Sequence, residues 1–323
     1  MKAILCKKFG PPSQLELVDI TSPKPGKKEV LIQIKSCSVN FPDTLVIQGL
    51  YQFKPPLPFS PGGDIAGIVK EIGEGVKHLK IGDHVFGVVP YGGFAEEVVA
   101  PVSRVFPIPS SMDFKVASSF IMAYGTSYHA LKDRAQLQAG ESLLVLGASG
   151  GVGLAAVELG KLMGARVIAA ASTEAKLALC KKYGADELIN YTNEDLKKRT
   201  KELTGGQGVN VVYDPVGGDY CEAALRATAW EGRFLIVGFP AGIAKIPMNL
   251  PLLKGCDIVG VFWGRFAQET PQKSLMNTME LIKLYSEGKL KPHIDRTYSL
   301  EESPQALEDM MNRKVMGKVV IEM

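Results

Sequence analysis

The chain has 323 residues and a mass of 34.9 kDa, with 46% hydrophobic and 22% charged residues. That mix excludes a disordered chain, and the length suits two domains better than one core. Lysine and arginine number 37 against 34 acidic residues, a surplus of +3, too small to point to nucleic acid or a membrane surface.

Taken in chain order, the amino terminus enters an alternating pattern, Met1 to Lys8, whose lysines stand too close together for a signal-peptide core. Up to about residue 120, short apolar runs alternate with Pro and Gly clusters such as Pro23-Lys24-Pro25-Gly26 and Pro61-Gly62-Gly63. Val30–Ile34 and Ala66–Val69 read as strands of an irregular β-rich domain, and Gly82 to Gly87 as a turn feeding another. From about 124 to 266 the texture becomes regular. Strands are expected at Ser142–Leu146, Arg166–Ala171, Glu187–Tyr191, Val209–Asp214, Arg233–Gly238 and Asp257–Trp263. Helices are expected between them, at Val152–Met163, Glu174–Tyr183, Asn193–Leu203 and Tyr220–Ala229. That alternation predicts a doubly wound parallel sheet. Two further helices, Ser274–Glu287 and Pro304–Arg313, precede a closing strand at Lys318–Ile321. The tail is assigned to the first domain, so that 1–122 with 267–323 forms one domain and 123–266 is an insertion within it.

Five cysteines, at 6, 37, 180, 221 and 256 without a CxxC pair, argue against a disulfide framework or a zinc knuckle and for reduced thiols in the cytoplasm. The longest uncharged stretches, Lys115 to Lys132 and Glu141 to Glu158, fall short of the ~20 apolar residues of a membrane span.

Between the first strand and helix of the regular region stands Gly147-Ala148-Ser149-Gly150-Gly151-Val152-Gly153. Glycines there permit a tight turn and let the backbone approach a pyrophosphate, which the helix's free N–H groups and positive end attract. The strict GxGxxG pattern fails at Ala148, leaving AxGxxG. The next strand tip reports the cofactor's type. An NAD site carries an acid about 20 residues on, but Ala171, 171 − 153 = 18 residues beyond Gly153, is not one. Ser172, Thr173, Lys176 and, at the third strand's tip, Tyr191 suit the 2′-phosphate of NADPH.

Asn40-Phe41-Pro42-Asp43, Ile47-Gln48-Gly49-Leu50-Tyr51, Leu57 through Gly67, the glycine turn, Phe262-Trp263-Gly264 and Gly317-Lys318-Val319-Val320 come in an order that resembles the zinc-less, zeta-crystallin-like quinone oxidoreductases of the medium-chain dehydrogenase/reductase superfamily. The resemblance spans essentially the whole chain. It implies an α/β fold: an irregular, β-rich GroES-like catalytic domain with an inserted Rossmann domain. The zinc-dependent relatives carry a catalytic cysteine at Asn40, a His-Glu pair at Gly63-Asp64 and usually a four-cysteine lobe. This chain has none of these, and Cys37, His84 and His129 lack partners at ligand spacing, so no metal is expected.

By resemblance, Asn40 and Thr126 lie at the nicotinamide end of NADPH. Ser149, Gly150, Gly151, Val152 and Gly153 cradle the pyrophosphate, and Ser172, Thr173, Lys176 and Tyr191 meet the adenosine phosphate. Gly238, Phe239, Phe262, Trp263 and Gly264 wall the nicotinamide. Tyr51 stands in a Gln-Gly-x-Tyr context where related enoyl thioester reductases carry a proton donor; proton donor and cofactor shelf both remain open for it. The implied activity is electron transfer from NADPH to quinones, with 2-alkenal, enone or enoyl thioester reduction as the alternative. A third reading, RNA binding or a crystallin-like structural role, lacks a basic stripe with aromatics, since Glu194, Asp195 and Glu202 flank the run Lys197-Lys198-Arg199-Thr200-Lys201. The last Rossmann strand, at the sheet edge, implies a homodimer.

Overall fold

Val30, Leu31, Ile32, Ile34, Cys37 and Val39 are all fully buried, and the strand that carries them, β3, organises the first of two units. The computed structural model describes residues 1–109 and 111–323. The first unit comprises Met1–Met122 with Pro292–Met323, and the second Ala123–Lys291.

In the first unit, β1 (Lys2–Leu5) and β2 (Glu16–Asp19) pair as a small ribbon. They are followed by β3 (Glu29–Val39), α1 (Phe41–Ile47), β4 (Asp64–Ile72), β5 (His84–Val88), β6 (Glu97–Pro101) and β7 (Val105–Pro107). Asp43, in the first turn of α1, accepts from the Asn40 backbone N–H at 2.7 Å and so defines where that helix begins.

The units divide within α2 (Phe114–Tyr128), which is continued by a π-helical segment, His129–Arg134. The second unit then runs β8 (Ser142–Val145), α3 (Gly151–Leu162), β9 (Arg166–Ala171), α4 (Glu174–Lys182), β10 (Glu187–Asn190), α5 (Leu196–Leu203), β11 (Val209–Asp214), α6 (Tyr220–Ala227), β12 (Thr228–Ile236), α7 (Asn249–Lys254), β13 (Asp257–Gly260), α8 (Trp263–Glu269) and α9 (Pro271–Ser286). Its six strands form one parallel sheet in the order β10-β9-β8-β11-β12-β13. Leu143–Val145, Val167–Ala171 and Val211–Tyr213 are buried on both faces, which is why these strands read as unbroken apolar runs. The order reverses between β8 and β11, and a doubly wound sheet binds its ligand at that point.

The chain returns to the first unit with β14 (Ile294–Ser299), α10 (Ser303–Met311) and β15 (Lys318–Glu322). They complete a sheet ordered β14-β15-β3-β4-β5-β7, with β6 also on β3.

Several elements differ from the sequence reading. Residues 267–291, which the reading placed in the first domain, group with the second unit. The reason is polar: Lys273 and Asn277 of α9 bind the Asp133 carboxylate at 2.8 Å each, and Glu280 accepts from Tyr128 and Lys132. The last Rossmann strand stops at Gly260, and Trp263 opens α8 instead of ending a strand. Helix α5 starts at Leu196, because the Asp195 carboxylate accepts from the Lys198 N–H at 2.8 Å and caps it. Helices α1 and α2 were not foreseen.

Candidate dinucleotide and acceptor sites

The glycine turn sits at the switch point of the parallel sheet. Gly147 adopts φ = +53°, a left-handed conformation that favours glycine. The turn is therefore made one residue earlier than the GxGxxG pattern places it, and Ala148 is fully buried beneath it. A Cβ on Gly153 would stand 2.3 Å from the Gly147 carbonyl oxygen, so the first turn of α3 lies directly on the loop. The first N–H groups of an α-helix have no intrahelical acceptor, and a side chain at 153 would break this cradle open; the residues fit a pyrophosphate.

Neighbouring segments hold the cradle. Ser127 donates to the Val152 carbonyl at 2.8 Å and meets the Tyr213 hydroxyl at 2.9 Å, tying α2 to the start of α3. Asp214, at the end of β11, accepts from the N–H groups of Val216 and Gly217 at 2.8 and 2.9 Å. The turn it stabilises brings Val216 Cγ2 within 2.7 Å of where a Gly147 Cβ would be. Ser127, Asp214 and Val216 were missed from the sequence. The compact run Asp214-Pro215-Val216-Gly217-Gly218 was the available signal.

At the tip of β9, Ala171 is fully buried and Ser172 half-buried. Thr173 caps α4 by accepting from the Lys176 N–H at 3.3 Å. Lys176 Nζ lies 3.4 Å from the Ser172 hydroxyl, and Thr192 donates to the Ser172 carbonyl at 3.0 Å. Tyr191 packs on Tyr220 with ring centroids 4.4 Å apart. The structure thus gathers Ser172, Thr173 and Lys176 at one strand end. Glu174, in the first turn of α4, is engaged by the Asn190 amide at 2.7 Å.

The remaining wall residues of this unit fall into two groups. A Cβ on Gly125 would stand 2.9 Å from the Trp263 indole nitrogen, so Trp263 lies against the backbone next to the half-buried Thr126. Gly238 follows β12 and donates to the Asp214 carbonyl at 3.3 Å. Phe239 packs over Gly217, and Phe239 and Phe262 both expose much of their rings.

In the first unit, Asn40 closes β3 and is 9% exposed. Lys318 Nζ, on β15, donates to its Oδ1. Asp64 on β4 is completely buried, and its nearest cation is Lys318 at 3.7 Å. Burial pushes the Asp64 carboxyl up to about 7 and that of Asp43, which Lys318 and two backbone N–H groups partly restrain, to about 6. Burial likewise lowers Lys318 and raises the Cys37 thiol. Tyr51 is half-buried against the same core. Burial, helped by the Asp43 charge, raises its phenol above the ordinary value. In the same unit Phe53 stacks on Tyr91 at 6.2 Å, and Phe59 meets Tyr91 edge-on at 6.1 Å. Asp43, Asp64 and Lys318 escaped the sequence reading, because two acids and a lysine scattered over 276 positions share no local pattern.

Among the described residues no three His, Cys, Asp or Glu side chains come together as a metal-ion site, and no helix is long and apolar enough to cross a membrane.

A parallel sheet with a glycine turn at its switch point, joined to a β-rich unit closed by the chain's tail, defines a two-domain dehydrogenase/reductase. Residues 26–110 match the alcohol dehydrogenase GroES-like domain and residues 151–280 the zinc-binding dehydrogenase domain. The chain is 40% identical over 324 residues to a quinone oxidoreductase-like protein 2 homolog of Nematostella vectensis, covering 99% of this chain and 88% of that one. It is 32% identical over 327 residues to the human quinone oxidoreductase, covering 99% and 97%. The Escherichia coli quinone oxidoreductase complexed with NADPH superposes with a TM-score of 0.95 at 30% identity over the whole of both chains. The protein is an oxidoreductase and belongs to the zinc-less quinone oxidoreductase family of the medium-chain dehydrogenase/reductases.

Proposed function

We propose that this protein is a zinc-independent, NADPH-dependent quinone reductase of the cytoplasm. NADPH when bound supplies a hydride, and the chain's residues bind, orient and screen the reactants. In the second unit, Ser149 through Gly153 take the pyrophosphate, and Ser172, Thr173, Lys176 and Tyr191 take the adenosine phosphate. Thr126, Gly238, Phe239, Phe262, Trp263 and Gly264 are assigned to the nicotinamide. In the first unit, Asn40 and Tyr51 are assigned to the reacting end. The NADPH complex of the E. coli relative supports the cofactor, and five free, buried cysteines agree with a reducing compartment.

The place of Tyr51, half-buried against an apolar core beside the Asp43 charge, carries the choice of acceptor. Its phenol, raised above the ordinary value, stays protonated and is a weaker acid than usual. A quinone needs no strong acid, because its two carbonyls already make the ring electrophilic, whereas an enone needs its carbon protonated. The exposed aromatic surface of Phe53 and Tyr91 suits a flat, apolar acceptor. Following NADPH oxidation against a panel of quinones, 2-alkenals and enoyl thioesters tests the assignment; turnover confined to the thioesters or alkenals refutes it.

Tyr51→Phe is expected to keep quinone turnover within about tenfold, or ~1.4 kcal/mol of barrier. A hundredfold loss with NADPH affinity intact would instead make Tyr51 a proton donor and favour double-bond reduction. Dialysis against a strong chelator is expected to leave turnover and melting temperature unchanged. Zinc lost in parallel with activity would contradict that.

We also propose a homodimer. Strand β13 lies at the edge of the parallel sheet, and Trp230, Ile243, Met248, Leu252 and Leu253, from the β12–β13 region, expose most of their apolar surface. Light scattering is expected to give twice 34.9 kDa; a monomer mass at micromolar concentration would refute it. Nucleic acid is not among the proposed partners. Within the α5 basic run, Arg199 is paired with Glu194 and Glu202, which supports a solvated helix face.

A further inference from the structure

Lys318 does not belong to the reaction as outlined, yet it is the buried cation of the first unit's site, with its side chain 6% exposed. It stands on β15, and the antiparallel register Val319↔Val39 and Val320↔Ser38 places it beside Asn40. An ammonium group can only donate hydrogen bonds. Its bond to Asn40 therefore decides which end of that carboxamide is which: Oδ1 is turned inward onto Lys318. Nδ2 makes a long contact, 3.4 Å, to the Ser38 carbonyl and a weaker one to the Asp64 carboxyl, so it is only loosely held.

The second observation is an orphaned acid. Ser38 and Asp64 are register partners across β3 and β4. The Ser38 hydroxyl and both Asp64 carboxylate oxygens are buried without a hydrogen bond. Asp43, by contrast, accepts the Asn40 N–H. One ammonium thus faces two carboxyl groups: Asp43 takes two backbone N–H donors, whereas Asp64 has only weak, long side-chain contacts from Asn40 and Lys318. A buried carboxylate with no close donor is costly, and the same group carrying a proton costs less because no charge is buried.

We propose that Lys318 is a positioning residue that clamps Asn40 so that it presents an N–H donor to the reacting site, and that Asp64 is a protonated carboxylic acid that leaves the Lys318 ammonium to Asn40. The role given to Asn40 rests on the reading of the site above. Every titratable group facing the clamp is accounted for: Cys37 on β3, whose buried thiol stays protonated, Asp43 on α1, Asp64 on β4, and Tyr51, whose phenol feels Asp43. When Asp64 ionises it competes for Lys318 from 3.7 Å and loosens the clamp.

The sign of the pH effect follows. The folded Asp64 carboxyl titrates at about 7, above its unfolded value of ~3.9. The folded state therefore binds more protons between those limits, and stability falls as pH rises through them. Asp64→Asn, isosteric with the protonated acid, is expected to melt with the wild type near about pH 4 and increasingly above it from there to about pH 7, where the difference levels off. Melting below the wild type across that range would show that Asp64 works as an ionised partner of Lys318, and would overturn the proposal.

The clamp itself is read without turnover. The side-chain amide pair of Asn40, identified by its disappearance in Asn40→Asp, is followed in ¹⁵N–¹H spectra of the ligand-free protein. It is expected to shift as Asp64 titrates, to lose that part of the shift in Asp64→Asn, where only Asp43 still titrates, and to move in Lys318→Met. An Asn40 amide indifferent to pH, or to Lys318→Met, overturns the clamp. Should Lys318→Met not fold, the comparison of wild type with Asp64→Asn still decides.

In kinetics, Lys318→Met is expected to lower kcat about tenfold to a hundredfold with the KM for NADPH nearly unchanged, and Lys318→Arg to restore part of it. A loss confined to KM, or none, argues against positioning. If the wild type turns over no quinone at all, the quinone reading fails on its own, while the amide spectra and melting curves still judge the clamp.

Discussion

Gly153→Ala is expected to weaken NADPH binding by roughly tenfold to a hundredfold and to lower the melting temperature. The added Cβ would stand 2.3 Å from the Gly147 oxygen, 2.9 Å from Ala148 Cα and 3.0 Å from the Gly147 carbonyl carbon. All three are backbone atoms, so no side chain can swing away. The turn has to open, at the ~1–3 kcal/mol typical of overpacking. The same movement draws the loop off the first N–H groups of α3, on which a pyrophosphate depends. Gly150→Ala controls for fold strain alone, read by thermal melting, because a Cβ there meets only the Gly147 oxygen at 3.4 Å, an ordinary contact. Fluorescence titration with NADPH and thermal melting of both variants check the prediction. Equal affinities for Gly153→Ala and the wild type would remove the turn from the cofactor site.

Lys176→Ala is expected to weaken NADPH selectively, by roughly 10- to 150-fold, and to leave NADH affinity nearly unchanged. A charge-assisted hydrogen bond to a phosphate is worth ~1.5–3 kcal/mol, which corresponds to that range. Lys176 is half-buried beside Ser172, so at physiological salt, screening pulls the effect toward the lower end. The fully buried Ala171 leaves no acid at the strand tip for a ribose hydroxyl. A wild type that binds NADH and NADPH equally would contradict the assignment, as would parallel losses for both cofactors in the variant.

The contrast between the two sites shows how far the sequence reaches. The dinucleotide region was legible because each part of it is local. An apolar strand buried on both faces announces itself as an unbroken run, a glycine turn must follow it, and the next strand tip arrives at a predictable count. The six parallel strands and their order of appearance could be read in that way. Even there, burial shifted details: Gly147 makes the turn in place of the residue at 148, and the edge strand stops at Gly260 because α8 takes over at Trp263.

The polar cluster of the first unit was not legible for the opposite reason. Asn40, Asp43 and Asp64 lie within one stretch, but the cation that completes them, Lys318, enters on the last strand, 278 residues from Asn40. Only the pairing of β15 against β3 puts them together. Periodicity and spacing report what the chain does over one turn or one strand. Charge pairing across a sheet is decided by register between segments that the chain joins only at its end. The sequence by itself determined the Rossmann alternation and the glycine turn at its switch point. The tertiary structure decided which way Asn40 faces and which buried acid has no close donor, because both depend on strand neighbours that no local pattern specifies.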